Sequence, residues 1–450
     1  MADYPINANN TTDNTENDRP LSGLLSEAPE RAILVSVDMP GTDWPVQESL
    51  DELEQLATTA GIQCVDRMVQ NLPKAHPATL LGSGKVKELA ELAHFHNCDA
   101  VIFDLELTPG QHRNLESELE MQVLDRTALI LIIFGQRART REGRLQVELA
   151  QVKYDLPRIA RQWSHLSRQR GSTQQRGEGE KQIEVDRRML RRQRDHLEED
   201  LKLVREQRQR HRDRRAHTGP PVIALVGYTN AGKSTLLNRL ATGPHVQAEN
   251  KLFATLDPTT RRVRLAGGQE VLLTDTVGFV QRLPTVLVAA FRATLEEVAE
   301  ADLLIHVVDA SHPNVHRQIE AVEQVLEEIG AGGLPMVVAL NKIDRLPDNM
   351  PLQLHGLSST LPAVQISAAK GTGIDELMHC IGETLTAQFV ALDVLIPYDH
   401  GELVAQFHQF GVIESEEYEE GGTRLLGHMP ANHSGPFLAF QKASSKVARA

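Results

Sequence analysis

The 450-residue sequence contains few cysteines: Cys64, Cys98 and Cys380 are the three, and they lie far apart. An odd number of distant cysteines does not fit a disulfide framework, and their spacing is not that of metal ligands. We therefore expect reduced, buried thiols and a cytoplasmic protein.

The chain also lacks long hydrophobic segments. Its longest apolar run, ALILIIF at Ala128–Phe134, is too short to cross a bilayer and is typical of a buried strand. Residues 1–28 are polar and rich in Asn and Asp, which predicts a disordered tail without a signal core. We expect neither export nor membrane attachment.

Charge is abundant and unevenly distributed. The net charge is −14, yet the segment from Arg158 to Arg215 holds 18 Lys and Arg against 10 Asp and Glu. Subtracting the +8 of that segment from −14 leaves −22 on the rest of the chain. An Arg/Glu-mixed helix is often only a solvated face, but this excess around a Gly-rich stretch favours RNA as a localised polyanionic partner.

Hydrophobic patterning divides the chain into a tail and four further segments. They are a disordered tail at 1–28, an N-terminal α/β domain at 29–137, a helical hairpin arm at 138–217, a larger α/β domain at 218–388 and a small C-terminal α/β domain at 389–450. In the first α/β domain we predict the strands Ala32–Val37, Ala100–Phe103 and Ala128–Phe134 and the helices Leu50–Thr59 and Val86–His96.

The arm is predicted from two coiled-coil seams around a polar loop at Gln169–Gly179. Pro157 lies inside the first seam and should kink that helix. The seam residues are Leu145, Leu149, Val152, Leu156, Ile159, Trp163 and Leu166 in the first helix, and Ile183, Leu190, Leu197, Leu201 and Val204 in the second.

A phosphate-binding loop lies between a predicted strand and a predicted helix in PVIALVGYTNAGKSTLLNRL, Pro221–Leu240. Backbone N–H groups and the helix N-terminus of such a loop cradle phosphates, Lys233 reaches the β- and γ-phosphates, and Ser234 binds Mg²⁺. The flanking strand and helix exclude most chance matches. The expected phosphate-side residues are Gly227, Tyr228, Thr229, Asn230, Ala231, Gly232, Lys233 and Ser234.

A base-recognition motif follows the predicted strand Met336–Leu340. The carboxylate of Asp344 can accept two N–H groups from one edge of guanine, whereas adenine presents a different edge, so the motif predicts GTP rather than ATP. The expected base-side residues are Asn341, Lys342, Ile343 and Asp344, together with Ser367, Ala368 and Ala369, whose main chain would back the base.

Two stretches between these motifs are expected to sense the γ-phosphate. Thr255, Thr259 and Thr260 are alternative candidates for the hydroxyl that binds Mg²⁺ in the triphosphate state, and their spacing does not distinguish among them. Phe279 stands where Ras-type GTPases have a water-orienting glutamine, and it has no hydrogen-bonding group. The expected residues are Phe253, Ala254, Thr255, Leu256, Asp257, Asp275, Thr276, Val277 and Gly278.

Three readings follow: a GTP hydrolase switch, a GTP-binding module that does not hydrolyse, as Phe279 would favour, and a P-loop ATPase, against which Asp344 argues. A Gly-x-Gly-Lys stretch at Leu81–Val86 lacks the phosphate-loop spacing and is interpreted as a turn into a helix.

The chain resembles the HflX family of translational GTPases, a branch related to the Obg-type proteins, over about residues 30–430. The stretches that carry the resemblance are Val101–Glu116, Val123–Leu131, Phe134–Arg158, Leu252–Arg261 and Asp275–Pro284. The resemblance implies that Thr255 is the second hydroxyl on Mg²⁺. It also implies action on the large ribosomal subunit in ribosome splitting, rescue or biogenesis, with the arm reaching ribosomal RNA near the peptidyl-transferase centre.

The chain departs from the family at two places. Residues 176–180 read Arg-Gly-Glu-Gly-Glu where the family has Arg-Gly-Pro-Gly-Glu, and Ile132 stands where an acidic residue is common. In GTPases with a hydrophobic residue after the Asp-x-x-Gly turn, an asparagine at the position of Asn230 can hold K⁺ in place of an arginine finger, provided that the loop Val246–Leu252 closes. We expect a monomer with Lys233, Asn230, Thr255 and Gly278 as the catalytic set.

Overall fold

The computed structural model describes residues 29–41, 44–159, 176–216, 220–241, 252–265, 268–281, 287, 295, 297–347, 361–387 and 389–441, with the side chains of the helix 176–216 described over 184–208. The predicted tail at 1–28, residues 169–175 of the predicted arm loop and residues 246–251 of the predicted closing loop lie outside this part of the chain.

The N-terminal sheet has four parallel strands in the order β2-β1-β3-β4. They are β1 (Arg31–Asp38), β2 (Gln63–Asn71), β3 (Ala100–Phe103) and β4 (Gln122–Asp125). The connecting helices are α1 (Val46–Ala60), α2 (Ser83–Phe95), α3 (Pro109–Leu119) and α4 (Arg126–Arg137). The predictions of β1, β3, α1 and α2 are confirmed, and the Gly-x-Gly-Lys stretch is the turn into α2.

The predicted strand at Ala128–Phe134 is wrong, because this run lies inside α4. The side chain of Asp125, at the end of β4, accepts the Ala128 N–H at 2.9 Å and caps the helix. Every residue of the run is at most 6% exposed, Ile132 being the most exposed. A short helix buried on all sides has no polar face, so hydropathy alone cannot distinguish it from a buried strand.

The arm is an antiparallel pair of α5 (Arg141–Ile159) and α6 (Arg176–Ala216). Lys153 pairs with Glu198 at 2.8 Å and Arg208 with Glu142 at 2.8 Å, so the two helices run in opposite directions. The seam between them contains Leu149, Val152, Leu190, Leu197 and Leu201.

The predicted arm loop is wrong at its end, because residues 176–179 already belong to α6. Glu178 replaces a proline of the family pattern, and a glutamate keeps its backbone N–H and is favourable in the first turn of a helix. Pro157 lies within α5, near its end.

The region at 220–387 contains the phosphate loop and the base-recognition motif and is called the nucleotide-binding region below. It has a six-stranded sheet in the order β10-β9-β8-β5-β7-β6, parallel except for β6. Its elements are β5 (Val222–Val226), α7 (Lys233–Leu240), β6 (Thr259–Arg264), β7 (Glu270–Asp275), β8 (Leu303–Asp309), α8 (Val315–Glu328), β9 (Met336–Asn341), β10 (Ala363–Gln365) and α9 (Ile374–Thr386). The sequence motifs follow β5, β7, β9 and β10, at the carboxyl edge of the sheet, where ligands bind in open α/β folds.

The C-terminal region is a three-stranded antiparallel sheet in the order β11-β13-β12. Its elements are β11 (Val390–Ile396), α10 (Gly401–Phe410), β12 (Val412–Glu419), β13 (Gly422–Met429) and α11 (Ala431–Ser434). The predicted fold class is confirmed: three regions combine sheets with helices, and the arm between them is helical. Among the described residues, no helix has the length and apolar content needed to cross a membrane.

The N-terminal sheet and the nucleotide-binding region share one hydrophobic core. Apolar residues from both stretches that were expected to sense the γ-phosphate are buried among α1, α4 and α5, and they are Leu252, Phe253, Leu256, Val277 and Val280. The stretches that face the nucleotide pocket on one side are therefore built into the N-terminal core on the other.

Candidate nucleotide-binding site

The phosphate loop Gly227–Ser234 joins β5 to α7. Gly232 has a φ of 103°, which favours glycine, and a Cβ there would overlap the side chain of Asn341. Asn341 Nδ2 donates to the carbonyl of Ala231 at 2.8 Å, so the end of β9 braces the loop. The loop is held in shape by contacts that leave no room for a side chain at Gly232.

Lys233 begins α7 and is buried, with 6% exposure. Its Nζ donates to the carbonyls of Gly227 and Tyr228, both at 2.9 Å. Burial lowers the pKa of Lys233 to about 8, against the opposing effect of the Asp275 carboxylate. The ammonium therefore lies inside the loop, within reach of any phosphate oxygen bound there.

One hydroxyl from the stretch Phe253–Asp257, which reads FATLD and is called the FATLD stretch below, lies close to the phosphate loop. Thr255 Oγ1 lies 3.0 Å from Ser234 Oγ, and both hydroxyls donate to Asp275 Oδ2, at 2.7 and 2.6 Å. Thr260 instead pairs with Thr274 across β6 and β7, and Thr259 is the first residue of β6. Of the three competing threonines, the structure brings only Thr255 to Ser234.

This cluster fits Mg²⁺ bound together with phosphates. Asp275 Oδ1 and Thr229 Oγ1 are buried polar atoms without a hydrogen-bond partner in the described structure. No group of three or more His, Cys, Asp and Glu residues that could hold a metal occurs within the described ranges. Magnesium needs no such group, since it is commonly bound through one or two protein oxygens plus phosphates and waters. Ser234 and Thr255 supply oxygens of the required kind.

The residues expected at the base lie at the end of β9 and in the loops after β9 and β10. Asp344 is exposed and accepts a hydrogen bond from Ser367 Oγ at 2.7 Å. That hydrogen bond is the main reason why the pKa of Asp344 lies below its usual value, so the carboxylate remains an acceptor. Asn341 Oδ1 accepts from the Ala368 N–H at 2.9 Å, and Arg239 donates to the carbonyls of Ala368 and Ala369.

Lys342 and Ile343 support this arrangement. Lys342 has a φ of 65° and turns the chain after β9. Its Nζ pairs with Asp309 Oδ2 at 2.6 Å, and the Ile343 N–H donates to the carbonyl of Ile366 at 3.3 Å. The side chain of Lys342 thus ties the ends of β8 and β9 together beside the residues expected at the base.

One pocket is lined by five of the eight residues expected on the phosphate side, while Gly227, Tyr228 and Ala231 are not part of its lining. Its lining consists of Thr229, Asn230, Gly232, Lys233, Ser234, Thr235, Phe253, Ala254, Thr255, Thr276 and Gly278. Asn230 is exposed, with a φ of 60°. Thr235 was missed by sequence reasoning, although its position directly after Ser234 was the available signal.

Phe279 does not point into this pocket. Its side chain is 1% exposed and packs with Tyr228, Leu295 and Val298. Its carbonyl accepts the Thr229 N–H at 2.7 Å and its N–H donates to the Gly227 carbonyl at 3.1 Å. Phe279 therefore holds the phosphate loop through its main chain while its ring fills the core.

Three residues expected at the nucleotide face the N-terminal region instead. Leu256 and Val277 are buried in its core. Asp257 accepts hydrogen bonds from Arg139 and Thr140, immediately before α5. In the first stretch the consecutive residues 253–255 line the pocket and Leu256 and Asp257 do not, and in the second stretch Thr276 and Gly278 line it while Val277 does not.

A buried polar network joins the phosphate loop to the N-terminal sheet, and sequence reasoning missed it. The Tyr228 hydroxyl donates to Glu52 and accepts the Gln281 N–H at 2.6 Å. Arg126 pairs with both Glu52 and Asp104, the latter at 2.8 Å. These residues are distant in sequence, so no local pattern identifies them.

Known protein families match successive parts of the chain. Three family models match in succession: "GTP-binding GTPase N-terminal" at residues 47–135, "GTP-binding GTPase Middle Region" at 137–215 and "50S ribosome-binding GTPase" at 222–342. A solved GTP-binding protein of the hyperthermophilic archaeon Sulfolobus solfataricus, in complex with GDP, is similar over 80% of this chain and 99% of that chain, with 25% identity and a TM-score of 0.43.

Curated relatives match over almost the whole chain. GTPase HflX of Escherichia coli strain K12 is 44% identical over 400 residues, which is 89% of this chain and 93% of that protein. GTPase HflX of Magnetococcus marinus is 45% identical over 408 residues, which is 90% of this chain and 94% of that protein. Together with a phosphate loop, a guanine motif and a Ser–Thr–Asp cluster in one pocket, these matches show that the chain belongs to the HflX family of GTPases.

Proposed function

We propose that this chain is a GTP-driven switch on the large ribosomal subunit, slow in hydrolysis alone and accelerated by the subunit. The observation that carries the proposal is the match of the "50S ribosome-binding GTPase" family to residues 222–342, which contain the pocket. We further propose that the protein splits or rescues ribosomes. It would do so in the cytoplasm and as a monomer.

The chemistry uses residues whose positions suit charge neutralisation. Lys233 places a cation inside the phosphate loop, and Ser234 and Thr255 would hold Mg²⁺ through their hydroxyls, where the metal would stabilise negative charge on the phosphates. Asp344 selects guanine. The Thr255 hydroxyl matters only when the γ-phosphate is present, so it carries the distinction between GTP and GDP.

Slow intrinsic hydrolysis follows from the position of Phe279. No side chain at this position orients a water molecule, because the ring is buried in the core. A second cation held beside Asn230, and contacts with the subunit that hold the switch stretches closed, would supply the missing stabilisation. Slow GTP hydrolysis in solution suits a switch that should hydrolyse GTP only when it is bound to the large subunit.

Hydrolysis assays test this proposal. GTP turnover is measured with and without purified large subunits, in K⁺ and in Na⁺, for the unchanged protein and for Asn230→Ala and Thr255→Ala. We expect a marked rise with subunits, a preference for K⁺ that Asn230→Ala removes, and loss of the stimulated rate in Thr255→Ala with GDP binding intact. A rate indifferent to subunits contradicts the main proposal, and equal stimulated rates in the two cations contradict only the K⁺ site.

The arm is proposed to bind ribosomal RNA through phosphates. Arg188 and Arg192 are both exposed on α6 and, four residues apart, share one helix face. Two further arginines, at 168 and 170 beside the predicted arm loop, lie outside the described residues. Replacing both α6 arginines with Ala should lower the slope of subunit affinity against salt by about two units, close to one for each phosphate contact.

A matched control separates this effect from a general loss of charge. Arg262 and Arg264 are exposed on the edge strand β6 and carry the same total charge. Their replacement by Ala should leave the salt slope unchanged. An equal decrease in both double variants would mean that net charge, not the arm, governs binding. Splitting is measured separately, as GTP-dependent dissociation of 70S ribosomes in a sedimentation assay.

A further inference from the structure

The FATLD stretch is held at both ends by the N-terminal region. Phe253 is 2% exposed and meets Phe134 edge-on, with ring centroids 4.7 Å apart. Its φ of 53° is unusual for an aromatic residue, and such a conformation persists only where packing enforces it. Thr255, between this anchor and Asp257, is the residue that meets Ser234.

Asp257 forms the second anchor, at the N-terminus of α5. Its Oδ2 accepts the N–H groups of Arg139 and Thr140 at 2.8 and 3.0 Å, and its Oδ1 accepts the Thr140 hydroxyl at 2.5 Å. A carboxylate at this end of a helix is also favoured by the helix dipole. All these hydrogen bonds join the nucleotide-binding region to the helix that begins the arm.

Thr140 contacts both Asp257 and the first turn of α5. Its Oγ1 accepts the Gly143 N–H at 3.0 Å while donating to Asp257, so one hydroxyl caps α5 and binds the carboxylate at once. A Cβ on Gly143 would overlap Asp257 Oδ1. A side chain at that position would therefore displace the carboxylate, even though alanine suits a helix better than glycine.

The first turn of α5 also belongs to the base of the arm. Glu142 pairs with Arg208 of α6 at 2.8 Å, and the same arginine pairs with Glu297 of the nucleotide-binding region at 2.7 Å. A movement of α5 relative to the nucleotide-binding region therefore changes the position of Thr140, and through Asp257 the position of the FATLD stretch.

We propose that Asp257 is a positioning residue for Thr255, holding that hydroxyl at Ser234 by fixing the chain two residues later to the first turn of α5. The contact links the arm to the γ-phosphate side of the pocket. The inference rests on the proposed function, because Thr255 has this role only in a GTP-dependent switch. Without such a role, the contact would be a helix cap that contributes only to folding stability.

The test compares full-length variants for affinity toward a non-hydrolysable GTP analogue and toward GDP, both with Mg²⁺. In Asp257→Asn, Thr140→Ala and Gly143→Ala, we expect the preference for the analogue to fall about tenfold, or about 1.4 kcal/mol, with GDP affinity unchanged. Thr140→Ser keeps the hydroxyl and should restore the preference. A purely structural cap would lower thermal stability without changing this ratio.

Thr108 provides the matched control. It caps α3, where its hydroxyl accepts the Gln111 N–H at 3.2 Å, and it makes no contact with the FATLD stretch among the described contacts. Thr108→Ala should lower the melting temperature and leave the nucleotide preference intact. Two further outcomes remain distinguishable. If Thr255→Ala reduces the preference but Asp257→Asn and Thr140→Ala do not, Asp257 is not a positioning residue. If Thr255→Ala itself has no effect, the proposed switch fails.

Discussion

Replacing Phe279 with glutamine, the residue of Ras-type sites, should damage this protein rather than accelerate it. The Phe279 side chain is 1% exposed and surrounded by apolar residues, whereas its backbone carries the contact with the phosphate loop. A glutamine in the same conformation would place its amide in this core, away from the γ-phosphate. Catalysis by water orientation cannot result from a side chain that does not reach the pocket.

The expected cost can be worked out from this environment. Removing a fully buried phenylalanine ring sacrifices about 2–3 kcal/mol of burial. An amide buried without partners adds about 1–3 kcal/mol. We therefore expect Phe279→Gln to destabilise the nucleotide-binding region by about 4 kcal/mol. Phe279→Leu, which keeps an apolar side chain of similar volume, should cost about 1 kcal/mol.

Urea unfolding, followed by release of a fluorescent GDP analogue, reports on this region directly. The leucine variant should retain GTP hydrolysis with and without large subunits. The glutamine variant should unfold at clearly lower urea and gain no intrinsic rate at temperatures where it remains folded. A glutamine variant as stable as the leucine variant, with hydrolysis raised tenfold or more, would refute the assignment of Phe279 to the core.

Three further changes probe other parts of the molecule. Asp344→Asn should weaken GTP binding by about two decades, close to 3 kcal/mol, and improve binding of xanthine nucleotides, as measured by competition. Arg126→Leu removes the cation that pairs with both Asp104 and Glu52 and should destabilise by about 3–5 kcal/mol, far more than Arg67→Ala at a partly exposed pair, in thermal melts. Burial raises the pKa of Asp155 to about 6, although the nearby Arg158 opposes this, so its contribution to stability is lost as pH rises from about 4 through 6. Asp155→Asn should therefore be more stable than the parent at pH 8 and lose that advantage at pH 4, which urea midpoints at the two pH values check.

The phosphate loop, the guanine motif and the strands that precede them were predictable because each is encoded in consecutive residues. A strand followed by Gly227–Ser234 and a helix needs no tertiary information. The same holds for the strand that ends at Asn341. The sequence did not show which of Thr255, Thr259 and Thr260 lies at Ser234. The answer depends on where β6 begins, and in the structure that strand begins at Thr259.

The remaining misses have tertiary causes. α4 was interpreted as a strand because both of its faces are buried, a property of its neighbours rather than of its own pattern. Tyr228 and Glu52 bond across 176 positions of sequence. Asp257 looked like part of a nucleotide motif, yet its partners Arg139 and Thr140 lie 118 and 117 positions away.

The shared core also bears on how the switch could open. Phe253 and Leu256 are both buried against the N-terminal helices, and exposing each would cost about 1.5–3 kcal/mol. Loss of a γ-phosphate contact at Thr255 alone therefore does not release the stretch, because the two apolar anchors and Asp257 still hold it. Opening requires a change in the surface against which these anchors pack, and α5 is the part of that surface that continues into the arm. A partner that binds the arm and shifts α5 would act on the anchors and on Asp257 together, whereas nucleotide would act on this stretch from the pocket side, through residues 253–255. In the proposed switch, the partner would set whether the stretch is docked, and GTP would set how firmly Thr255 is held while it is docked.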